Sequence, residues 1–321
     1  MGRIFALFCA VFFSLTFAAR AQTTYPDGPV TIIVPFAAGG TVDLMGRIAA
    51  QALEARLRKP FIVENRVGAG GVIGTSYVAR AQPDGRTLLL APTAFAITPY
   101  VYKKLNYDPL RDFRAVGLMG YTANVMVVPP SLGVKTVQEF IALAKRTDGG
   151  LPYASPGLGT PQHLYLEYFA HKAGLHLRHV PYSGSSPALV GIMAGDTSVM
   201  FADIAPSVPL IEDGKIQALA SLTPTRHPSL PNTPTVADTI PGFTALGWQG
   251  LLAPAGTPDA IIRTLNEALV DYLKTPEAAQ KMRSIGVDVK WTTPGEAQDW
   301  IAAQLAQFGE IVPMTGIKPA E

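Results

Sequence analysis

Cysteine is almost absent from this chain. Cys9 is the only one in 321 residues, and it lies inside an apolar N-terminal run that we expect to be removed. The mature chain therefore has no thiol chemistry and can form no disulfide of its own. Its stability must come from a hydrophobic core, and a chain of about 300 residues is long enough to build one in two domains.

The sequence also lacks a surplus of charge of either sign. Removal of residues 1–21 takes away Arg3 and Arg20 and no acid, which leaves 24 basic and 24 acidic residues in the mature chain. Proteins that bind nucleic acid or anionic membranes need a basic surplus or a basic patch. The balance therefore argues against both classes.

Long hydrophobic runs are missing beyond the N-terminus. Residues 4–19 are apolar and free of acids, Arg3 precedes them, and Ala19-Arg20-Ala21 has the small-x-small pattern of a signal peptidase site. The run is short for a membrane span, which needs about 20 residues. We predict a signal peptide over residues 1–21, cleaved after Ala21, and export of a soluble mature protein. The alternative is an N-terminal anchor that is not cleaved.

What the chain does have is a strand, a glycine turn and a helix start near its N-terminus. Residues 30–34 form a β-branched, uncharged run typical of a buried parallel strand. Small residues follow at 37–40, then Thr41 as a helix cap and Asp43 in the first turn of a helix over 42–58. Such a turn lies at the carboxyl end of a sheet, where backbone N–H groups and the helix dipole favour an anion. We predict that it holds a carboxylate without an arginine.

The same arrangement recurs in the second half. Residues 151–155 form a short strand, 156–159 a glycine turn, and Thr160-Pro161 an N-cap followed by proline at the first helical position. Gly174 is suited to end this helix. If the two halves face each other, two positive helix ends converge on one cleft.

The glycine run at 68–74 suggests a dinucleotide fingerprint, but the pattern fails. Ile73 occupies the third glycine position, and Asp84 lies in a Pro83-Asp84-Gly85 turn and not after a strand. We interpret these glycines as close packing at a helix start and predict no cofactor. A third strand, residues 87–90, leads to a loop at 92–95, where Phe95 is either a core residue or a pocket wall.

His163, Glu167 and His171 lie at i, i+4 and i+8 of the predicted helix, which raises the question of a metal site. The outer two are about 12 Å apart along the axis, too far to share one ion. We interpret the three as a solvated polar stripe and predict no metal. The sequence contains no G-x-S-x-G nucleophile turn, and we predict no catalytic residue. Asp203 follows a strand over 197–201, where it either binds a polar ligand group or caps the next turn.

The remaining chain organises the two halves. An extended run over 116–128 is interpreted as the crossing into the second domain, and a strand over 216–222 leads back. Helices are predicted over 258–273 and 276–285, and Thr293 and Glu296 form a capping box for the last helix. We expect these helices to cover the first domain.

Several motifs together resemble the substrate-binding receptors of tripartite tricarboxylate transporters, the Bug family of periplasmic solute-binding proteins. The resemblance covers essentially the whole mature chain, and its marks are P-F-A-A-G-G-T-V-D at 35–43, V-E-N-R at 63–66, G-A-G-G at 68–71, P-D-G at 83–85, G-L-G-T-P at 157–161, H-L at 163–164 and A-P-A-G-T-P at 253–258. Ser183 departs from the family, in which a lysine is common at this place.

The resemblance implies an α/β, type II periplasmic binding protein fold, with two lobes and a ligand cleft between them. We predict that residues 22–120 and 226–321 form the first lobe and residues 121–225 the second. A monomeric, non-enzymatic periplasmic receptor is implied, which binds an amino acid, a di- or tricarboxylate or an aromatic acid and delivers it to membrane transporter subunits. The alternatives are an adaptor for a membrane sensor kinase and an exported hydrolase.

The candidate ligand-binding residues come from the two glycine turns, the third-strand loop and the far end of the cleft. They are Phe36, Ala38, Gly39, Gly40, Thr41, Asp43, Thr93, Ala94, Phe95, Ser155, Gly157, Gly159, Thr160, His163, Tyr182, Asp203 and Trp248.

Overall fold

The structure, a computed structural model, describes residues 25–317 and residue 319; the predicted signal peptide lies outside the described residues. Within them the chain alternates strands and helices, which confirms the predicted α/β class. The strands are β1 (Val30–Val34), β2 (Phe61–Asn65), β3 (Thr87–Pro92), β4 (Phe113–Val128), β5 (Leu151–Ser155), β6 (Leu177–Pro181), β7 (Val199–Asp203), β8 (Gln217–Ser221), β9 (Leu246–Pro254) and β10 (Asp288–Val289).

The helices cover both faces of the sheet that these strands form. They are α1 (Thr41–Leu57), α2 (Val72–Ala79), α3 (Ala94–Val101), α4 (Val137–Arg146), α5 (Pro161–Ala173), α6 (Ser185–Ala194), α7 (Ile204–Glu212), α8 (Asp259–Leu273), α9 (Pro276–Arg283) and α10 (Pro294–Met314). No helix in the described part of the chain is both long enough and apolar enough to span a membrane.

Two parallel blocks of strands are joined by two long antiparallel strands. The order along the sheet is β2-β1-β3-β9-β4-β7-β5-β6, and β8 and β10 also pair with β4. The β1, β2 and β3 strands are parallel, as are β5, β6 and β7, whereas β9 runs antiparallel to both β3 and β4. The glycine turns predicted from the sequence therefore lie at the carboxyl ends of β1 and β5, one in each block.

The strand β4 belongs to both blocks. Residues 113–123 pair with β9, and residues 124–127 pair with β7. The chain thus leaves the first block along β4 and returns to it along β9. The predicted lobe limits at 120–121 and 225–226 stay a prediction.

The hydrophobic core also extends across both blocks. On one face of the first block, α1 packs over β1 and α8 packs against α1 and β4, with Met45, Leu53 and Leu269 fully buried. On the other face α10 packs against β4 and also contacts α5 of the second block, where the rings of Tyr165 and Phe308 lie 5.5 Å apart. The predicted cover of the first domain therefore reaches the second block as well.

Local signals place most helix ends. The Thr293 and Glu296 capping box is present, and Gly174 ends α5 in the left-handed conformation at φ 63°. Two expectations need correction. Gly40, not Thr41, is the N-cap of α1, and no side chain caps that helix. The segment after β3 is not an open loop, because α3 begins at Ala94.

Candidate functional site

The first glycine turn connects β1 to α1. Ala38, Gly39 and Gly40 are exposed, and Gly39 has φ 84°, a conformation that residues with a Cβ rarely adopt. Among the described residues, no hydrogen bond uses the backbone N–H groups of residues 40–43. Such unpaired donors at a helix N-terminus attract an anion. Phe36 and Thr41, at the two ends of the turn, are half-buried.

Asp43 lies beneath this turn and holds it in place. Its carboxylate accepts hydrogen bonds from the N–H of Gly39 at 2.9 Å, from Arg47 at 2.9 Å and from Asn65 at 2.9 Å. Burial by itself would raise the pKa of this carboxyl, but the hydrogen bonds from Arg47, Gly39 and Asn65 outweigh it, and the pKa is lowered. Asp43 is 1% exposed, so its carboxylate braces the turn from below.

The second glycine turn connects β5 to α5. Gly157 and Gly159 have φ 144° and 75°, and the Thr160 hydroxyl donates to the carbonyl oxygen of Gly157 at 2.8 Å. Thr160 is the N-cap, as the sequence predicts, although its hydroxyl does not cap the helix. Among the described residues, the N–H groups of Leu158, Gln162 and His163 have no hydrogen-bond acceptor.

His163 occupies the place in the second turn that Asp43 occupies in the first. The N–H of Gly159 donates to Nδ1 of His163 at 3.1 Å, just as the N–H of Gly39 donates to Asp43. Each glycine precedes the N-cap, and each acceptor lies four residues further on. The two turns are thus built alike, with a side chain of the first helical turn accepting the glycine amide.

The predicted solvated stripe on α5 is wrong. His163 is 2% exposed, and its ring lies 4.1 Å from the ring of His179. Glu167 is half-buried and accepts a hydrogen bond from the Tyr153 hydroxyl, while His171 is exposed. The expectation failed because β5 and β6 cover the first part of this helix face, which helical spacing alone does not reveal.

The N-cap and first turn of α3, directly after β3, contribute Thr93, Ala94 and Phe95. The Thr93 hydroxyl accepts the backbone N–H of Trp248 at 2.7 Å and so ties the start of α3 to β9, and Ala94 beside it is half-buried. Phe95 is 3% exposed and contacts the rings of Tyr107 and Phe113. Trp248 is fully buried. Phe95 and Trp248 therefore pack in the core in this structure, and their role as ligand contacts stays a prediction.

Asp203 lies where three helices of the second block begin. Gln162 of α5 donates to its Oδ1 at 3.1 Å, and Ser185 of α6 donates to its Oδ2 at 3.3 Å, while Asp203 itself is the N-cap of α7. Burial raises the pKa of this carboxyl by more than the hydrogen bonds from Gln162 and Ser185 lower it, so the pKa is raised. Among the described residues, no cationic side chain pairs with it. Asp203 is therefore a desolvated acceptor at the carboxyl end of β7.

Tyr182 directly follows the carboxyl end of β6 and is half-buried. A Cβ added to Gly191 would come within 2.1 Å of its hydroxyl oxygen, so this glycine makes room for the tyrosine. The ring therefore packs on α6, and a ligand contact for Tyr182 stays a prediction.

Ser155 and His179 form a contact that sequence reasoning missed. The Ser155 hydroxyl oxygen is 2.6 Å from Nε2 of His179, as in a nucleophile and its base. Ser155 is fully buried, however, and its hydroxyl also bonds the N–H and carbonyl of Gly157. It supports the turn and is closed to a substrate. Among the described residues, no group of three or more His, Cys, Asp and Glu side chains could hold a metal ion.

Other supporting residues missed from the sequence are Asn65, Gln162 and Ser185. The V-E-N-R motif contains Asn65, and its position at the end of β2 beside the first turn was a usable signal. Gln162 and Ser185 reach Asp203 across 41 and 18 residues, and no local pattern marks them.

Comparisons with known proteins agree on one family. The model of the family described as "Tripartite tricarboxylate transporter family receptor" matches residues 45–317. BugT of Bordetella pertussis is 33% identical over 304 residues, which are 94% of this chain and 93% of BugT.

Solved structures of the same kind share the fold. Rpa4515 of R. palustris, solved with adipate, is 33% identical with a TM-score of 0.75, and the match covers 92% of this chain and 100% of that one. MatC from Rhodopseudomonas palustris, solved with bound malate, is 28% identical with a TM-score of 0.72 over 90% of this chain and 100% of that one. These likenesses confirm the predicted two-lobed periplasmic binding protein fold.

Proposed function

Because this chain belongs to the tripartite tricarboxylate transporter receptor family, we propose that it captures a small carboxylated solute between its two lobes and delivers it to the membrane subunits of such a transporter. The membership makes it a periplasmic solute-binding receptor. The nature of the solute, the way it is held and the delivery step are our proposal. Residues 22–120 with 226–321 and residues 121–225 are the lobes in this proposal, and the signal peptide is cleaved after Ala21.

One observation carries the proposal: the two glycine turns have the same construction. Each begins a helix, each keeps unpaired backbone N–H groups, and in each a buried side chain takes up the glycine amide below the surface. A carboxylate placed at either turn meets donors that are already oriented. Rpa4515 and MatC, which were solved with adipate and malate, support the carboxylate class.

Asp203 favours a solute that brings a donor of its own. Asp203 is half-buried, and a partly desolvated carboxylate without a cationic partner repels a second carboxylate and attracts an ammonium or hydroxyl group. Within the proposed class, an amino acid or a hydroxy acid therefore suits the second lobe better than a plain dicarboxylate. The protein acts without catalysis in this proposal, because the Ser155 hydroxyl is closed to substrates.

The test is thermal unfolding of the mature protein against a panel. The panel contains amino acids, malate, adipate, citrate and benzoate, each with the amide of its carboxyl groups as the matched control. A ligand at 100 times its Kd stabilises the native state by about 2.7 kcal/mol. A shift with one acid and none with its amide supports the proposal, and equal shifts with both contradict it. If no compound shifts the transition, native mass spectrometry decides whether a solute is already bound.

Delivery and sensing are separated by a second experiment. The His-tagged receptor with its solute is mixed with detergent-solubilised membranes, and the retained proteins are identified. Retention of polytopic transporter subunits supports delivery. Retention of a sensor kinase supports the alternative adaptor function, which the same fold can serve.

A further inference from the structure

Three aromatic rings are stacked beneath the second glycine turn. The ring of His179 on β6 lies 4.8 Å from that of Tyr153 on β5 and 4.1 Å from that of His163 on α5, and the rings of Tyr153 and His163 are themselves 6.2 Å apart, so the three form a triangle. Tyr153 and His163 are buried, and His179 is half-buried. His179 therefore joins three elements of the second block at one point.

His179 also touches both residues that hold the glycine amides of the turn. Its Nε2 lies 2.6 Å from the Ser155 hydroxyl oxygen, which accepts the N–H of Gly157 at 3.2 Å. Its ring supports His163, which accepts the N–H of Gly159 at 3.1 Å. Each glycine amide of the turn is thus held by a side chain that His179 contacts.

This arrangement needs neutral imidazoles. Nδ1 of His163 can accept the Gly159 N–H only when it carries no proton, so the proton lies on Nε2. Burial and the nearby His179 lower the pKa of His163 to about 3, and burial lowers the pKa of His179. A charge on either ring would face the other ring and the positive end of α5.

The other titratable groups around the stack do not supply a counter-charge. The Tyr153 hydroxyl donates to Glu167. Burial raises the pKa of the Glu167 carboxyl by more than the hydrogen bond from Tyr153 and the nearby His176 lower it. Asp203 is engaged by Gln162 and Ser185. No described carboxylate hydrogen bonds to either imidazole of the stack.

We propose that His179 is a positioning residue for solute capture, which holds the second glycine turn in its anion-binding form through Ser155 and His163 while both imidazoles are neutral. The inference rests on the proposed function for its effect on binding. Its effect on the turn itself does not depend on any solute.

The first test uses the mature protein without added solute. Nuclear magnetic resonance gives the imidazole tautomers and the hydrogen exchange rates of the Gly157 and Gly159 amides at one pH. His179→Phe keeps a stacked ring and removes the bond to Ser155, so the Gly157 amide should exchange at least tenfold faster. His179→Gln keeps an amide donor and removes the ring, so the larger effect should move to Gly159. The control is His171→Gln, which changes an exposed histidine of α5.

The outcomes of this test are distinct. At pH 7, Nδ1 of His163 should be unprotonated in the wild type, and both glycine amides should be protected. Unchanged exchange at both glycines in both His179 variants, with unfolding showing that they are folded, would overturn the inference. A protonated Nδ1 of His163 at pH 7 would overturn it as well.

The second test measures binding of malate and adipate by titration calorimetry. His179→Phe should raise the Kd of the acid that the wild type binds by about tenfold. His171→Gln should leave that Kd unchanged. Faster glycine exchange combined with an unchanged Kd would contradict the role in capture. If the wild type binds neither acid nor any member of the panel and native mass spectrometry finds no solute already bound, the proposed function fails, and the exchange data still decide whether His179 holds the turn.

Discussion

The backbone N–H of Gly39 donates to Oδ2 of Asp43 at 2.9 Å, which ties an exposed glycine to a buried carboxylate. Asp43 in turn is held by Arg47 and by Asn65, whose amide also donates to the carbonyl oxygen of Phe36. The carboxylate is therefore the centre of the network that shapes the first turn. Its charge is part of that network, because the three donors share its two oxygens.

Loss of this charge should destabilise the fold in a pH-dependent way. We expect Asp43→Asn to lower the free energy of unfolding by about 1.5–3 kcal/mol at pH 7, the usual worth of a hydrogen bond to a charged group. The folded pKa lies below the unfolded value of 3.8, so the stabilisation is present above that pH and is lost as the pH falls through the folded pKa. Urea unfolding at pH 7 and pH 3 checks this.

The control for Asp43 is Asp271→Asn. Asp271 pairs with Arg56 at 3.1 Å, but its side chain is 57% exposed. The Asp271→Asn substitution should therefore lower the free energy of unfolding by only about 0–1 kcal/mol. If Asp43→Asn lowers the free energy of unfolding equally at pH 7 and pH 3, the role of the charged Asp43 carboxylate in the network is contradicted.

The two turn glycines should be required for binding. Gly39 and Gly159 have φ 84° and 75°, and a Cβ added to either would meet no atom within 4 Å. The protein has room for a valine at either position. The substitution should lower the free energy of unfolding by at least about 1–2 kcal/mol through backbone strain. It also places a branched side chain where the solute approaches. We expect binding of the panel acid to be lost while the protein still folds, measured by calorimetry and circular dichroism.

A matched glycine separates strain from obstruction. Gly214, after α7, has φ 68° and equally open surroundings. Gly214→Val should lower the free energy of unfolding about as much as the two turn variants do, and it should leave the Kd unchanged. Retained affinity in either turn variant would sink the proposal that these amides hold the solute.

Gly74 should tolerate no side chain. A Cβ there would lie 2.8 Å from the carbonyl oxygen of Arg66 and 3.0 Å from Pro35, and the carbonyl belongs to backbone that cannot turn away. We expect Gly74→Ala to lower the free energy of unfolding by about 1–3 kcal/mol. Gly295→Ala, in the first turn of α10 with no atom within 4 Å, should instead stabilise by about 0.5–1 kcal/mol. Denaturant unfolding of the pair checks this, and equal effects would refute the packing role.

Asp203 should oppose stability at neutral pH. Burial raises its folded pKa above the unfolded value of 3.8, so the folded state binds more protons and stability falls as the pH rises through this window. Asp203→Asn keeps an acceptor for Gln162 and removes the partly desolvated charge. The variant should melt at a higher temperature than the wild type at pH 7, and the difference should shrink toward pH 4. The exposed Asp196→Asn is the control, and a lower melting temperature at pH 7 would contradict the assignment.

Much of the architecture could be predicted because its signals are local. The strand over residues 151–155, the N-cap at Thr160 and the capping box of Thr293 and Glu296 all depend on residues within a few positions of each other. The glycine turns were predicted for the same reason. The exception at Thr41 is also local, since Gly40 adopts the extended N-cap conformation one residue earlier.

The sequence by itself determined the α/β class and two helix starts with glycine turns. Only the tertiary structure decided what supports them: His179 beneath His163, Trp248 bonded to Thr93, and Gln162 beside Asp203. Turn and cap preferences arise from the backbone and from neighbours within one helical turn. Contacts between residues 16 to 155 positions apart depend on the order and register of strands, which no short pattern encodes. For this reason the face of α5 that helical spacing predicts to be solvated is, at His163, the buried support of the second glycine turn.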